Sequence, residues 1–508
     1  MRKVISILFL AAMLTLSSCE SWLDVEPKSE IKWDTMFETE QGFKDALLGC
    51  YVGLSEKSLY GGDLTCLFLD ALAQQYYTKG ASSSYRYVFD YSYNSTAVTN
   101  YSDNIWSKIY TTLANVNALI EAVEDKGEGV LNSTTHSLVK AEVYSLRAYL
   151  YLDLVRLFTW GDLAGRPDAE VKLAGRAIPY VKEYNKNIAP QETLANVLKF
   201  IHEDLNTAID LFLDYAPESK KGSRPDDYVK LSDESKFFDV TNTKYRMNLK
   251  AAMATRMRLN MWEGNFDEAY DDAYVLRNTY TLTWVAKTNL ETDENKRDLT
   301  FSAEMIFGLE AFKRFDDIID PYFRRYAASG SLNENSQFLC LPSGRATEIY
   351  GEELKDADWR YIYWWGEKAE ENYAFYKFRE VDGMTYTNNV ALIKSAEICY
   401  TEAECLLRAG GESNKVLAIE ALNRVRNNRG LSAMPLENTL TEEQVWEELT
   451  KEWRKEFVGD GQLFYYYKRI GSTSIPYASM ACDDNVYVLP LPKAEIENGN
   501  CENLIDRN

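Results

Sequence analysis

The chain has 508 residues, of which 46% are apolar and 26% are charged, and this composition is typical of a folded globular protein. Its 78 acidic residues outnumber its 56 basic residues, which gives a formal net charge of −22. Because affinity for nucleic acid comes mainly from clustered basic side chains, this balance excludes a nucleic-acid partner.

The start of the chain has the pattern of a secretory signal peptide. Two basic residues precede the apolar stretch Val4–Leu16, and small residues stand directly before Cys19. The segment Leu16–Cys19 resembles a bacterial lipobox, in which the cysteine is acylated and becomes the mature N-terminus. The resemblance implies a lipid anchor at Cys19, since two or three acyl chains on one residue anchor a protein stably. We therefore expect a signal peptide over 1–18 and a lipidated tether over 19–33.

The first part of the body is predicted to contain two helices separated by an aromatic loop. Apolar residues recur at helical spacing over 39–51 and 103–123. Between them, 73–101 holds eight Tyr or Phe residues. Loops of this length are uncommon unless they are functional or disordered, and the aromatic content argues against disorder. Because aromatic residues alternate over 85–93, a short pair of strands is the structural alternative.

The stretch Lys140–Asp162 is predicted to be a central helix. Apolar and small residues cover nearly its whole circumference, so other helices are expected to surround it. Charged residues interrupt it at helical intervals and exclude a membrane span. A Gly-Asp pair marks its end. A further helix is expected over 190–212, followed by a polar linker over 217–239.

Two later segments resemble tetratricopeptide helix pairs. Small residues flank a turn glycine in 248–276, and a comparable pattern with a longer turn returns in 396–429. Because these copies lie far apart in the sequence, they are expected to line one side of the body without forming one uninterrupted solenoid. The aromatic-rich and irregular segment 280–390 is expected to pack against them.

The body is predicted to be a single unit over 34–508, with an N-terminal part over 34–239 and a C-terminal part over 240–508. A late helix is expected over 442–459. The prolines of the segment 489–496 disfavour helix and predict an extended strap on the surface.

The cysteines suggest neither a zinc site nor a disulfide framework. Besides Cys19 there are seven, at wide spacings and without a CxxC pair. An occasional disulfide is compatible with an exported protein. Cys399 and Cys405 lie in an apolar helical pattern and are expected to be buried free thiols.

The sequence carries no recognisable catalytic or cofactor motif. Its two histidines stand outside any HExxH arrangement, and the GxSxG, GxxxxGK[ST] and GxGxxG patterns are absent. A glycosidase could use a carboxylate pair such as Asp316 and Asp317, but acidic residues are so abundant that no single pair is informative. We therefore expect no enzymatic activity, no metal and no cofactor.

Several separated motifs occur together in a fixed order. They are the lipobox, the 140–162 helix, the segment Ile178–Val181, the two repeat-like units, the segment Lys451–Gly471 and the C-terminal LPLPKAEIENGN. As an ordered set they resemble the SusD/RagB family of nutrient-binding outer-membrane lipoproteins of Bacteroidetes, over essentially the whole mature chain. The resemblance implies an all-α body on a tetratricopeptide-like scaffold with long irregular loop insertions.

The same resemblance implies a lipid anchor in the outer membrane, an exterior location and a SusC-like TonB-dependent barrel transporter as partner. One feature departs from the family pattern. Gln74 and Gln75 stand at a point of the first loop where relatives often carry an acidic residue.

Ligand contacts are expected from aromatic rings, because flat rings stack on sugars or peptide side chains while Arg, Asn and Gln supply hydrogen bonds. Family sites are usually built from two loop regions. The candidates in them are Tyr76, Tyr77, Tyr85 and Arg86 in the first region, and Phe315, Tyr322 and Tyr326 in the second. With 35 Tyr and 11 Trp in the chain, most aromatic residues, including Trp364 and Trp365, are expected to pack in the core or at an interface.

The expected function is capture of an oligosaccharide or other glycan outside the cell and its delivery to the transporter. An oligopeptide ligand, as in the RagB branch, is the alternative within the same class. Two hypotheses come from other classes: a lipoprotein glycoside hydrolase, and a purely structural lid of the transporter. The sequence leaves the identity of the ligand open.

Overall fold

A computed structural model describes most of the predicted body. The described residues are 33–78, 83–214, 240–311, 314–323, 338–369, 372–378, 386, 388–499 and 501–507. The predicted signal peptide, Cys19, nearly all of the tether, the 217–239 linker and Tyr326 lie outside them.

Helices dominate the described residues, as the all-α prediction requires. The helices of the N-terminal part are α1 (Trp33–Met36), α2 (Glu40–Leu54), α3 (Phe68–Leu72), α4 (Tyr85–Phe89), α5 (Thr96–Asp125), α6 (Gly127–Val130), α7 (Ser133–Phe158), α8 (Ala169–Ala174) and α9 (Leu194–Asp214). Those of the C-terminal part are α10 (Leu249–Glu263), α11 (Phe266–Asn278), α12 (Ser343–Tyr350), α13 (Trp359–Trp364), α14 (Ser395–Ala409), α15 (Glu412–Asn427), α16 (Glu442–Glu456), α17 (Leu463–Arg469), α18 (Asp484–Tyr487) and α19 (Lys493–Glu497).

The long helices form one continuous stack. Helix α2 packs on α5, α5 on α7, α7 on α9 and α9 on α10, and α10 pairs with α11. Helix α11 then packs directly on α14, which pairs with α15, and α16 covers this last pair. Both tetratricopeptide-like pairs are therefore confirmed. The expectation that they could not belong to one uninterrupted stack is wrong, because the residues between them leave the stack at α11 and return to it at α14.

The predicted central helix is confirmed as α7. It is buried nearly all round, including its charged residues Glu142, Arg147, Asp153 and Arg156. These charges do not face water, since each has a partner within the protein. The guanidinium of Arg147, for example, donates to both carboxylate oxygens of Asp204 on α9, each at 2.7 Å. Ion pairs as well as apolar contacts therefore join α7 to its neighbours.

The segment between α11 and α14 contains short antiparallel strands as well as irregular chain. Strand β3 (Met305–Glu310) pairs with β7 (Asn389–Lys394), which leads directly into α14. Strands β4 (Cys340–Pro342), β5 (Trp365–Ala369) and β6 (Asn372–Phe375) form a sheet in the order β4-β6-β5. Earlier in the chain, β1 (Arg176–Pro179) pairs with β2 (Gln191–Thr193). Short 3-10 turns cover Val240–Tyr245, Lys287–Asn289, Glu294–Lys296 and Ser302–Glu304, and a π-helical turn covers Phe315–Phe323.

The alternating aromatic segment 85–93 does not form the predicted pair of strands. Its first half is the helix α4, in which Tyr85 and Val88 are buried while Tyr87 is exposed. Burial at a spacing of three residues is a helical pattern, whereas the alternation in sequence comes from aromatic residues on both sides of one helical turn.

The C-terminal strap is buried and does not lie on the surface as expected. Leu489 and Leu491 are almost inaccessible to solvent, and the amide of Leu489 donates to the carbonyl of Leu157 at 3.0 Å. The hydroxyl of Ser102 on α5 donates to the carbonyl of Pro490 at 2.8 Å. Beyond the prolines the chain turns into the helix α19, so the prolines end the extended part without preventing a helix after it.

The seven cysteines among the described residues are buried free thiols, which confirms the prediction for Cys399 and Cys405. Within the same residues, none of the helices combines the length and the apolar character that crossing a bilayer requires.

We expect Gly264→Ala to destabilise the protein by about 1–2 kcal/mol. Gly264 ends α10 with a φ of +89°, in the left-handed region, and a Cβ there would lie 2.6 Å from the Cβ of Ala164. Gly49→Ala is the matched control. Its Cβ would meet nothing within 4 Å and it lies inside α2, so it should stabilise the helix by about 0.5–1 kcal/mol. Urea unfolding measures both, and equal effects would contradict the assigned turn.

Candidate functional site

Two buried glutamines fix the first loop region. The side-chain amide of Gln74 donates to the carbonyl of Phe89 at 2.9 Å and to the hydroxyl of Tyr91 at 3.2 Å. The amide of Gln75 donates to the carbonyl of Arg454 at 3.4 Å. Gln74 has a φ of +58°, and its hydrogen bonds hold this unusual backbone in place. These hydrogen bonds hold the described part of the loop in place and tie it to α16.

Backbone hydrogen bonds join the two predicted loop regions. Tyr77 and Cys340 exchange two of them, at 2.8 and 3.0 Å, and the amide of Leu339 donates to the carbonyl of Tyr322 at 2.8 Å. The guanidinium of Arg345 also donates to the carbonyl of Tyr76 at 3.2 Å. The structure thus brings together two regions that are far apart in the sequence.

Two of the sequence-derived candidates, Tyr76 and Tyr85, lie beneath the surface. The hydroxyl of Tyr76 donates to Asp70 at 3.0 Å, and its ring makes an edge contact with Phe323 at 5.5 Å between centroids. The ring of Tyr85 meets that of Tyr322 edge-on at 5.8 Å. Both side chains are inaccessible to solvent, so they pack in the core beneath the outer residues and do not contact a ligand at the surface.

The outer residues are Tyr77, Arg86 and Tyr322, together with two that sequence reasoning did not select. Tyr77 is 42% exposed, and Tyr322 is half-buried. Lys57 lies over the ring of Tyr322 at 4.8 Å from its centroid and donates to its hydroxyl at 3.1 Å. Tyr87 is 51% exposed on α4 beside the exposed Arg86. We call Lys57, Tyr77, Arg86, Tyr87 and Tyr322 the aromatic face.

The remaining two candidates give no side-chain geometry. Phe315 belongs to the π-helical turn that carries Tyr322, but its side chain is outside the described structure, as is the whole of Tyr326. Their predicted contact with ligand stays a prediction.

An isolated carboxyl group lies under the aromatic face. Asp63 is 5% exposed, and one of its carboxylate oxygens has no hydrogen-bond partner among the described residues. Burial raises the pKa of Asp63 to about 7, against the opposing effect of the Lys57 charge. Burial is also the main cause of the raised pKa of Tyr85 and Tyr101, and the nearby Asp63 contributes to both.

Apart from the aromatic face, the structure has a cavity of about 190 Å³ lined in part by Arg297, Tyr363, Trp365 and Tyr376. The ring of Trp365 packs on Phe375 at 4.8 Å, as expected for a core residue. Phe375 in turn packs on Tyr76 at 5.8 Å. The cavity and the aromatic face are therefore built on one continuous aromatic core.

Neither the aromatic face nor this cavity provides a metal site within the described part of the chain. Among the residues that the structure describes, His, Cys, Asp and Glu side chains do not come together in groups of three or more that could hold a metal ion.

Two known family descriptions match separate parts of the chain. Residues 21–261 match a SusD-like family described as starch-binding and associating with the outer membrane, and residues 350–500 match the SusD family. The chain belongs to the SusD/RagB family. The matches take in the first loop region and the end of the helical stack, and they confirm the resemblance found in the sequence.

Relatives of this SusD/RagB chain are distant in sequence. SusD-like protein P25 from Formosa agariphila is 26% identical over 162 residues, which are 31% of this chain and 30% of that relative. The match therefore spans less than a third of the relative's length. A SusD superfamily structure from Bacteroides thetaiotaomicron has a TM-score of 0.68 at 18% identity and covers 91% of this chain and 97% of its own. A SusD-like carbohydrate binding protein from Bacteroides vulgatus has a TM-score of 0.65 at 16% identity, with 91% and 97% covered. These structures show the shared fold.

In this SusD/RagB chain, Gln74 and Gln75 have a structural role. Both side chains point into the protein and hold the loop, so neither belongs to the aromatic face. A buried acidic group close to that face is Asp63, whose carboxyl group interacts with the charge of Lys57. Sequence reasoning missed it because it is one of 78 acidic residues and follows no motif.

Proposed function

We propose that this SusD/RagB chain binds an oligosaccharide on its aromatic face outside the cell and passes it unaltered to a TonB-dependent transporter in the outer membrane. The observation that carries the proposal is the contact of Lys57 with the half-buried ring of Tyr322, in a region that backbone hydrogen bonds join to the segment of the exposed Tyr77. Rings cover the apolar faces of a sugar, and Lys57 and Arg86 donate hydrogen bonds to its hydroxyl groups.

The family relationship supports a glycan as the ligand. The matched family is described as starch-binding and associating with the outer membrane, and one structural neighbour is a carbohydrate binding protein. The lipobox ending at Cys19 supports anchoring of the mature chain by lipid, with residues 1–18 removed. In this proposal the protein has no catalytic role, in keeping with the lack of a catalytic motif in the sequence.

Isothermal titration calorimetry of a Cys19→Ala chain, expressed without its signal peptide, tests the proposal against a panel of glycans and a matched panel of peptides. We expect saturable binding to at least one class of glycan, with the ligand recovered intact. Binding to peptides alone would favour the RagB-type alternative. Cleavage of a bound glycan would favour the hydrolase, and binding to neither panel would favour the structural lid.

Tyr77→Ala is expected to weaken glycan binding roughly tenfold, because an accessible ring that contacts ligand contributes more than about 1 kcal/mol. The melting temperature should not change, since Tyr77 is well exposed and its backbone hydrogen bonds to Cys340 do not depend on its side chain. Tyr184→Ala, which removes a tyrosine that is 52% exposed outside the aromatic face, is the control. Equal affinities of the two variants would count against the aromatic face as the binding surface.

A further inference from the structure

A small cavity lies inside the helical stack, away from the aromatic face. Its volume is about 30 Å³, and its lining comes from five helices, with Arg156 on α7, Arg258 on α10, Glu397 on α14, Trp453 on α16 and Tyr465 on α17. A cavity needs only about 10–15 Å³ of such volume to hold one water molecule, so this cavity has room for one small ion or for one or two water molecules.

Four hydrogen-bond donors on the lining residues have no acceptor among the residues that the structure describes. They are one terminal nitrogen of Arg258, the indole nitrogens of Trp262 and Trp453, and the hydroxyl of Tyr465. All four residues are at least nine-tenths buried, at 6%, 2%, 6% and 3% exposure respectively. Buried donors are nearly always satisfied in folded proteins, so four of them around one cavity point to an occupant that accepts hydrogen bonds.

The unpaired donors around the cavity favour an anion over water. Three guanidinium groups line it, and each is paired with a carboxylate, so the charges balance and the unpaired donors decide the occupant. The pairs are Arg156 with Asp153, Arg258 with Glu397 and Arg469 with Glu404. Both oxygens of Glu397 already accept from Arg258, at 2.5 and 2.6 Å. A water molecule accepts about two hydrogen bonds and must also donate two, whereas an anion accepts from all sides.

Tyr465 remains a donor under ordinary conditions. Burial, followed by the charge of Asp153, raises its pKa well above the usual value, so its hydroxyl keeps the proton. From the cavity and its four unpaired donors, we propose that this site binds a chloride ion that joins the five helices. The proposal is independent of the function proposed for the aromatic face.

Crystals of the mature chain soaked in sodium bromide test the site directly, because bromide replaces chloride and is located by its anomalous scattering. We expect a bromide peak within contact distance of Trp262, Trp453 and Tyr465. In solution, the melting temperature should be higher in sodium chloride than in sodium gluconate at the same ionic strength, since a ligand that binds only the folded state stabilises it.

Trp453→Phe removes one donor and keeps an aromatic ring, which in Trp453 stacks on Tyr466 at 4.7 Å. It should weaken chloride binding about tenfold, as seen in the dependence of the melting temperature on chloride. Trp160→Phe is the matched control, because the indole nitrogen of Trp160 is also buried without an acceptor but lies outside the cavity. If Trp453→Phe does not fold, Tyr465→Phe replaces it. A lack of bromide in the cavity, or equal melting temperatures in chloride and gluconate, would show that water alone occupies the site and would overturn the proposal.

Discussion

Glu456→Gln is expected to destabilise the protein by about 3–5 kcal/mol, the cost of breaking a buried ion pair by removing one partner. Glu456 is the centre of a charged cluster without access to solvent. Its two carboxylate oxygens accept from Arg429 at 2.8 and 2.9 Å, from Arg360 at 3.1 Å and from Lys394 at 3.0 Å. Burial alone would raise the pKa of Glu456, but the charges of Arg429 and Lys394 outweigh it and hold the pKa well below its usual value.

The size of this effect follows from what the cluster joins. Lys394 ends β7, Arg360 lies in α13, Arg429 follows α15, and Glu456 ends α16, so one carboxylate ties the strand-containing insertion to the helical stack. Removing its charge leaves three cations with fewer partners in a medium of low dielectric constant.

Urea unfolding followed by circular dichroism measures the effect, with Glu447→Gln as the control. Glu447 lies on the same helix but is exposed, so its replacement should leave the unfolding midpoint unchanged. A Glu456→Gln chain that unfolds at the wild-type midpoint would show that the cluster contributes little to stability.

Asp63→Asn is expected to remove a pH-dependent loss of stability. Burial raises the pKa of Asp63 from 3.8 to about 7. A raised pKa in the folded state means that the folded protein holds the proton more tightly than the unfolded chain. The wild type therefore loses stability as the pH rises from about 4 to about 7, by up to about 4 kcal/mol. The asparagine side chain does not titrate, so the stability of the variant relative to the wild type should increase as the pH rises from about 4 to about 7.

Free energies of unfolding at pH 5 and pH 8 check this prediction. The stability of the variant relative to the wild type should be greater at pH 8 than at pH 5. Asp90→Asn, which changes an exposed aspartate of the same loop region, should follow the wild type at both values. Parallel pH profiles for Asp63→Asn and the wild type would mean that the carboxyl group is ionised without cost in the folded protein.

The sequence predicts the helical scaffold well, because local patterns determine it. Apolar residues all round α7 predict its central place, and small residues beside Gly264 predict the α10–α11 turn. The partners of the charges on α7 could not be predicted. Arg147 pairs with Asp204, and Glu142 pairs with Arg246 far along the chain, so the sequence suggests solvent-facing charges where the structure has buried ion pairs.

The candidate site was predictable as two regions but not as a surface. The family resemblance pointed to both regions, aromatic density supported the first, and the contact between Tyr85 and Tyr322 brings them together. The helix α4 determines which rings face outward, but the alternating aromatic pattern of its sequence indicated a strand. Tyr87 was missed for this reason, while Asp63 and Lys57 carry no local signal at all.

A crystal structure of the protein with a bound oligosaccharide tests the central claim most directly. The account predicts that the sugar lies across the aromatic face, with a ring of the ligand stacked on Tyr77 or Tyr322 and a hydroxyl group within hydrogen-bond distance of Lys57 or Arg86. A sugar bound only in the cavity beside Tyr363 and Tyr376, with the aromatic face uncovered, would contradict it.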